Sequence, residues 1–279
     1  MEPGRASRTA LRVALRRAVH QVLDQPPVLR DPIAVPLLGS EFRFDAEREA
    51  HPIARAFRAF MAARSRFAED QLAAAVEKGI AQYVILGAGL DTFAYRNPFP
   101  SLRVFEVDFP ATQDGKRVLL AEAGIALPES LTFVALDFEH QTLAEGLAGA
   151  GFDATRPAFF AWLGVVPYLT LEAFRATTKT MAQLPAGTGL CFDFGVSPES
   201  LGPAHRKAFD ALAARVAAAG EPFRLFFEQD ELELELRAAG FHQVQLHTAD
   251  RLNELYFAGR GDGLRLPSPV LGMLATAWA

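Results

Sequence analysis

Two glycines and four carboxylates, at three places in the chain, have the types and spacing of a ligand site. Gly87 and Gly89 close the apolar stretch from Tyr83 to Leu86, and Asp91 follows at once. A backbone without side chains can turn sharply there and lie directly against a ligand. Glu106 and Asp108 end a second apolar stretch, two residues apart and so on one face of a strand. Asp108 lies about twenty residues beyond Gly87, where an acid in dinucleotide folds accepts the hydroxyl hydrogens of a ribose. Asp137 ends a third stretch, and Phe138 follows it. A carboxylate accepts from an exocyclic amine, and an aromatic ring covers a purine face. Singly, each feature is an ordinary turn or a solvated strand end. Glycine loop, ribose acid and base acceptor, in that order on consecutive strand ends, is the order of an adenosine site.

The elements that must position these groups are legible as apolar runs. "AQYVILGAG", "LRVFEVD", "LTFVALD", "PAFFAWLGVV" and "GTGLCFDFG" read as five buried strands. Helical patterns lie between them at Ala111–Ala123, Thr142–Ala150 and Leu171–Leu184. Strands alternating with helices imply βαβ units and a mostly parallel sheet with right-handed crossovers. Ligands of such sheets bind beyond the carboxyl ends of the strands. Further on, "PFRLFF", "DELELELRAAGF" and "HQVQLHT" read as strand, helix and strand, and "LNELYFAGR" as a late helix. The first 78 residues hold little strand: a helix over 7–23, a proline-broken loop from Asp24 to Gly39, and a helical pattern from Arg48 to Lys78, stopped by Gly79.

The loop chemistry discriminates between adenosine ligands. A dinucleotide site wants a third glycine where this chain has Thr92, and Asp91 inside the loop would repel a pyrophosphate. A carboxylate there suits a cation, such as an amino-acid ammonium or a sulfonium. That favours S-adenosylmethionine over NAD. Asp91 could equally cap the next helix, and the two roles are compatible.

Several stretches, in order along almost the whole chain, resemble the S-adenosylmethionine-dependent methyltransferases related to leucine carboxyl methyltransferase. They include "SRTALRVALRRAVHQ", "DPIAVPLL", "AARSRFAEDQL", "QYVILGAGLDTFAYR", "VFEVDFPATQDGKR", "ALDF", "AWLGVVPYLT" and "ELYFAGRGDGL". The resemblance implies a class I methyltransferase (Rossmann-like) fold: α/β, a seven-stranded, mostly parallel sheet with one antiparallel strand near the C-terminus, under a helical N-terminal lid. It implies one domain over 1–279, with the lid in 1–78, the cofactor-binding core in 79–195 and the substrate side in 196–279. It places Gly87 against the cofactor's methionine portion, Asp108 on the ribose, Asp137 and Phe138 on the adenine, and Arg64 on the cofactor carboxylate, with Arg17 as a further basic contact. Many relatives carry a glutamate where this chain has Leu163. That acid holds the cofactor's amino end, and Asp91 could substitute for it.

Composition bounds the rest. The chain has 279 residues, 50% of them hydrophobic and 22% charged, an ordinary globular balance. A net charge of −5 argues against nucleic acid as the main partner. No apolar run approaches a membrane span, and no signal-peptide core is present, so a cytoplasmic location is expected. The lone Cys191, between Leu190 and Phe192, reads as a buried inert thiol. No metal is expected. The acceptor is expected to be a small or peptide-like molecule methylated on a carboxylate or hydroxyl oxygen. His20, Tyr168, His205 and Tyr256 are acceptor-side candidates, and Tyr168, near the mouth of the fourth strand, is the one singled out as a catalytic candidate. An NAD-type oxidoreductase and a non-catalytic cofactor-binding protein are the competing readings.

Overall fold

A computed structural model describes residues 8–39, 42–137, 141–218, 220–268 and 272–279. Phe138 lies outside the described residues. Five parallel strands carry the core: β1 (Gln82–Leu86), β2 (Arg103–Asp108), β3 (Leu131–Ala135), β4 (Phe159–Trp162) and β5 (Gly189–Val196). Three later strands join them: β6 (Phe226–Phe227), β7 (Gln243–His247) and β8 (Gly272–Trp278). The sheet runs β3-β2-β1-β4-β5-β8-β7, with β6 beside β5. β8 is antiparallel to both of its neighbours, which makes it the reversed strand expected near the C-terminus. The sheet has eight strands where seven were expected, and the added one is the two-residue β6. Of the predicted strand "PFRLFF" only Phe226 and Phe227 pair, because β5 offers them only Gly195 and Val196.

Central strands have no polar face. Every residue of β1 is buried. Tyr83 and Ile85 enter one layer, with Phe67 and Leu72 of the helix α3 (Pro52–Glu77) and Leu252 of α9 (Ala249–Tyr256). Val84 and Leu86 enter the other, with Leu147 of α5 (Leu143–Gly149), Phe174 of α6 (Leu171–Ala182) and Leu232 of α8 (Gln229–Ala239). Burial on both faces explains why these strands read as unbroken apolar runs rather than alternating ones.

The N-terminal helices cover the first layer. α1 (Arg8–Leu23) packs on α3. The expected continuous helix from Arg48 to Lys78 is divided into α2 (Ala46–Ala50) and α3. Proline at position 52 is the cause: it drives the preceding residue out of the helical region, and His51 is extended at φ −60, ψ 137. His51 then serves as the N-cap, its Nδ1 accepting from Ile53 N–H at 3.3 Å.

Candidate active site

Parallel register lines up the strand tips. Leu86 pairs with Val107, Ile85 with Ala161, and Trp162 with Phe192. Carrying that register one step beyond Leu86, Val107 and the Trp162–Phe192 pair, and two beyond Ile85–Ala161, brings Asp108, Gly87, Leu163 and Asp193 into a single row across β2, β1, β4 and β5. In-register residues of parallel strands point to one face, so this row faces the layer of α1 and α3.

The glycine loop leaves the sheet at Gly87, whose φ is +63, and Gly89 follows at +48. A Cβ at Gly87 would run into Val165 Cγ2, so both the backbone sign and the space require glycine. Asp108 fastens this loop. Its Oδ2 accepts from Gly89 N–H at 2.6 Å and its Oδ1 from Phe109 N–H at 2.7 Å. Burial raises the Asp108 carboxyl above its ordinary value, and those two N–H donors offset part of the rise.

Asp91 is held from two sides. Its Oδ1 accepts from Phe93 N–H at 2.7 Å, where the short 3-10 turn Phe93–Arg96 begins with Thr92 rather than Asp91 as its N-cap. Its Oδ2 receives Arg17 Nη1 at 3.2 Å, and Arg17 Nη2 also donates to Leu90 O. Burial pushes this carboxyl up, but Arg17, Lys116 and Arg96 outweigh it, and the net shift is downward. The same turn is braced by charge: Thr92 Oγ1 donates to Asp31 Oδ2 at 2.6 Å, and Arg96 Nη1 to Glu69 Oε2 of α3 at 2.8 Å. Loop, N-terminal segment and α3 are thereby tied together.

Arg64, on α3, is only 6% exposed. Its Nη1 donates to Asp193 Oδ2 at 2.9 Å, and Asp193 Oδ1 accepts from Gly164 N–H at 2.5 Å. Among the described residues Arg64 Nε has no hydrogen-bond partner, although it is buried. Asp193 went unmarked in the sequence. The signal was present: it is the single charge in the apolar strand "GLCFDFG".

Glu106 does not share the role of Asp108. It is fully buried and receives Lys116 Nζ, from α4 (Pro110–Glu122), at 2.6 Å. Burial raises its carboxyl to about 7 despite the opposing Lys116. Asp137 is partly exposed two residues beyond β3, its carbonyl accepting from Gln141 N–H at 2.8 Å.

The acceptor-side candidates separate. Tyr168 sits in the short turn Val166–Tyr168 past β4, its ring 5.3 Å from that of Phe223. Burial, reinforced by Glu221, lifts its hydroxyl to about 12, so it stays protonated at neutral pH and can donate but not act as a base. His20 is structural. Its Nε2 accepts from Val28 N–H at 2.9 Å and its Nδ1 lies 2.8 Å from Asp24 Oδ2. Tyr256 donates to Asp70 Oδ2 at 2.8 Å, bracing α9 on α3. The side chain of His205 lies outside the described residues. Cys191 is buried and its thiol is pushed far up by burial, as expected of an inert thiol. A depression of about 530 Å³ lined by Phe67, Gln71, His247 and Arg251 shares no residue with the strand-tip row.

Solved structures with this fold place it in a class. The chain resembles a DUF574 family protein from Streptomyces avermitilis MA-4680, at TM-score 0.55 and 20% identity over 87% of this chain and 94% of that one. It also resembles a structure described as a "putative O-methyltransferase" from Nostoc punctiforme PCC 73102, at TM-score 0.51 and 13% identity over 94% and 72% of the two chains. The architecture is that of a class I methyltransferase fold. Residues 10–182 match the family model described as leucine carboxyl methyltransferase. A Bacillus subtilis (strain 168) protein named "Putative S-adenosyl-L-methionine-dependent methyltransferase YktD" is 31% identical over 95% of each chain. A Mycobacteroides abscessus protein named as a methyltransferase of the same dependence is 34% identical over 69% of this chain and 66% of its own. The chain belongs to the leucine carboxyl methyltransferase family, and so is an S-adenosylmethionine-dependent methyltransferase. The nicotinamide and non-enzyme readings fall with that assignment. Among the described residues no helix is long and apolar enough to cross a membrane.

Proposed function

We propose that this enzyme methylates an oxygen, a carboxylate or hydroxyl, of a small or peptide-like acceptor. The residues fit the cofactor: acids stand at the strand tips, a glycine loop is fastened to one of them, and the buried Arg64 Nε–H has no partner among the described residues. In this reading Asp108 holds the ribose, Asp137 and Phe138 the adenine, Gly87 the methionine portion and Arg64 the carboxylate. Arg17 and Asp91 hold the loop and the first helix together beside it. Residues 1–78 form the lid, 79–195 the cofactor core and 196–279 the acceptor side of one domain. When bound, the cofactor supplies an electrophilic methyl on a positively charged sulfur. The protein's part is then to orient the acceptor and exclude water, which α1 and α3 do from above the row.

Within oxygen acceptors, a carboxylate is the simpler reading. A hydroxyl needs a base, and Tyr168, a phenol that stays protonated at neutral pH, does not supply one. A carboxylate attacks without one. Its surroundings are aromatic: Phe209, Phe223 and Phe226 stack or meet edge to face behind Tyr168. The test is to offer radiolabelled S-adenosylmethionine with pools of apolar carboxylic acids and short peptides, then treat products with mild base. Methyl esters release volatile labelled methanol. Product label that stays base-stable throughout would remove the carboxylate reading.

A further inference from the structure

Arg64 and Asp193 form a buried pair of opposite charge at the end of the strand-tip row. Asp193 lies in a strand whose neighbours Phe192 and Phe194 are fully or almost fully buried. A charge in such a place is costly unless paired and hydrogen-bonded, and a single ion pair is a modest return for it. The pair is also incomplete. Among the described residues Arg64 Nε is buried without a partner. A carboxylate has room for about four hydrogen bonds, and among the described residues Asp193 accepts from Arg64 Nη1 and Gly164 N–H.

The acids of the site differ in what already occupies them. Asp91 belongs to a braced network, accepting from Arg17 of α1 and from Phe93 N–H, and both of its oxygens are thereby engaged. Asp108 clamps the glycine loop. Among the described residues Asp193 is hydrogen-bonded to the arginine that faces it and to the backbone of the turn at Gly164. That turn is fitted to the guanidinium: a Cβ at Gly164 would stand 2.9 Å from Arg64 Nη2.

We infer that Asp193 is the acceptor for the α-ammonium of the cofactor, forming with Arg64 one receptor for the zwitterionic amino-acid end. This rests on the proposed cofactor site and adds a residue to it. The register supplies the layout. Asp108 and Asp193 are three strand spacings apart, about 14 Å, with Gly87 and Leu163 between them. A nucleoside held at its ribose by Asp108 extends its tail over Gly87 and Leu163, and its terminal charges reach the pair. Ammonium and carboxylate each then meet the opposite member, so the internal ion pair is exchanged for two ligand contacts. Leu163, apolar and between the two, leaves Asp193 as the negative charge at that end of the row.

Calorimetric titration of the full chain with S-adenosylhomocysteine and its deaminated analogue tests this without turnover. The wild type is expected to prefer the amine-bearing ligand by about tenfold to a hundredfold, the range of a hydrogen bond to a charged group. Asp193→Asn is expected to abolish that preference while binding the deaminated analogue as the wild type does. Asp91→Asn is expected to keep the preference. Failure of both ligands to bind folded wild type would refute the cofactor site itself. Binding of both with no preference in the wild type overturns the role of Asp193 alone, and needs no variant that must fold. Retained preference in Asp193→Asn, or equal loss of both ligands in that variant, also overturns it, the latter by showing a purely structural pair.

Discussion

Replacing Asp108 with asparagine separates the two tasks of this residue. The carboxylate accepts from Gly89 N–H at 2.6 Å and from Phe109 N–H at 2.7 Å, both bonds to a charged acceptor. Asparagine offers one oxygen to one of these donors and turns an NH₂ toward the other. The loop therefore loses one charge-assisted bond, worth about 1.5–3 kcal/mol. Burial already works against the charge, as the raised carboxyl shows, so the measured stability loss belongs at the lower end, about 1–2 kcal/mol. Cofactor affinity loses more. The variant cannot accept two ribose hydroxyls as the carboxylate does, and the loop that receives the methionine portion is less well fixed. A loss of about 1.5–3 kcal/mol is a ten- to 150-fold rise in Kd. Urea denaturation gives the first quantity and titration with S-adenosylhomocysteine the second. A folded Asp108→Asn protein that binds S-adenosylhomocysteine within threefold of wild type would refute the ribose assignment.

Gly87→Ala forces a positive φ and a clash with Val165; a loss of about 2–4 kcal/mol is expected in urea denaturation, with no measurable S-adenosylhomocysteine binding. Asp24, bound by His20 and by Arg58 at 2.6 Å, has its carboxyl lowered to about 2: burial raises it, but His20 and Arg58 prevail. Its stabilisation is therefore complete above the ordinary value of 3.8 and lost as pH falls toward 2. Asp24→Asn is expected to cost about 3 kcal/mol at neutral pH and to remove that acid limb from a denaturation-versus-pH series. Glu106 behaves oppositely, because its carboxyl is raised from 4.5 to about 7. Across that window the folded chain holds more protons than the unfolded one, so stability falls as pH rises, by up to about 1.4 kcal/mol per pH unit. Glu106→Gln is expected to flatten this limb, and an unchanged slope would show that the group titrates at its ordinary value.

The fold was legible where burial is two-sided. β1, β4 and β5 have no solvent face and β2 is exposed only at Arg103, so each survives in the sequence as an apolar run ended by glycine or acid, while β3, at the sheet edge, is only partly buried. β8 left no such mark of its own, because "GMLATAW" mixes small and apolar residues and depends on β5 and β7 for its identity. The break before Pro52 was written in the proline, but the helical periodicity on both sides concealed it. At the site, residues adjacent in sequence were found and residues adjacent only across strands were not. Gly87, Gly89 and Asp108 lie in recognisable local motifs. Asp193 stands out in the sequence as a lone charge in an apolar strand, but its place beside Leu163 comes only from register, and Lys116 is visible only through the α4 turn that brings it to Glu106. Arg64 and Arg17 required the resemblance, since nothing local distinguishes a buried helix arginine from a solvated one.

A crystal structure of the complex with S-adenosylhomocysteine measures the central claim directly. The account predicts ribose hydroxyls on the Asp108 carboxylate, the methionine portion over Gly87, and the ligand's terminal charges at Arg64 and Asp193. A ligand bound elsewhere, with Asp108 touching only Gly89 and Phe109, would contradict it.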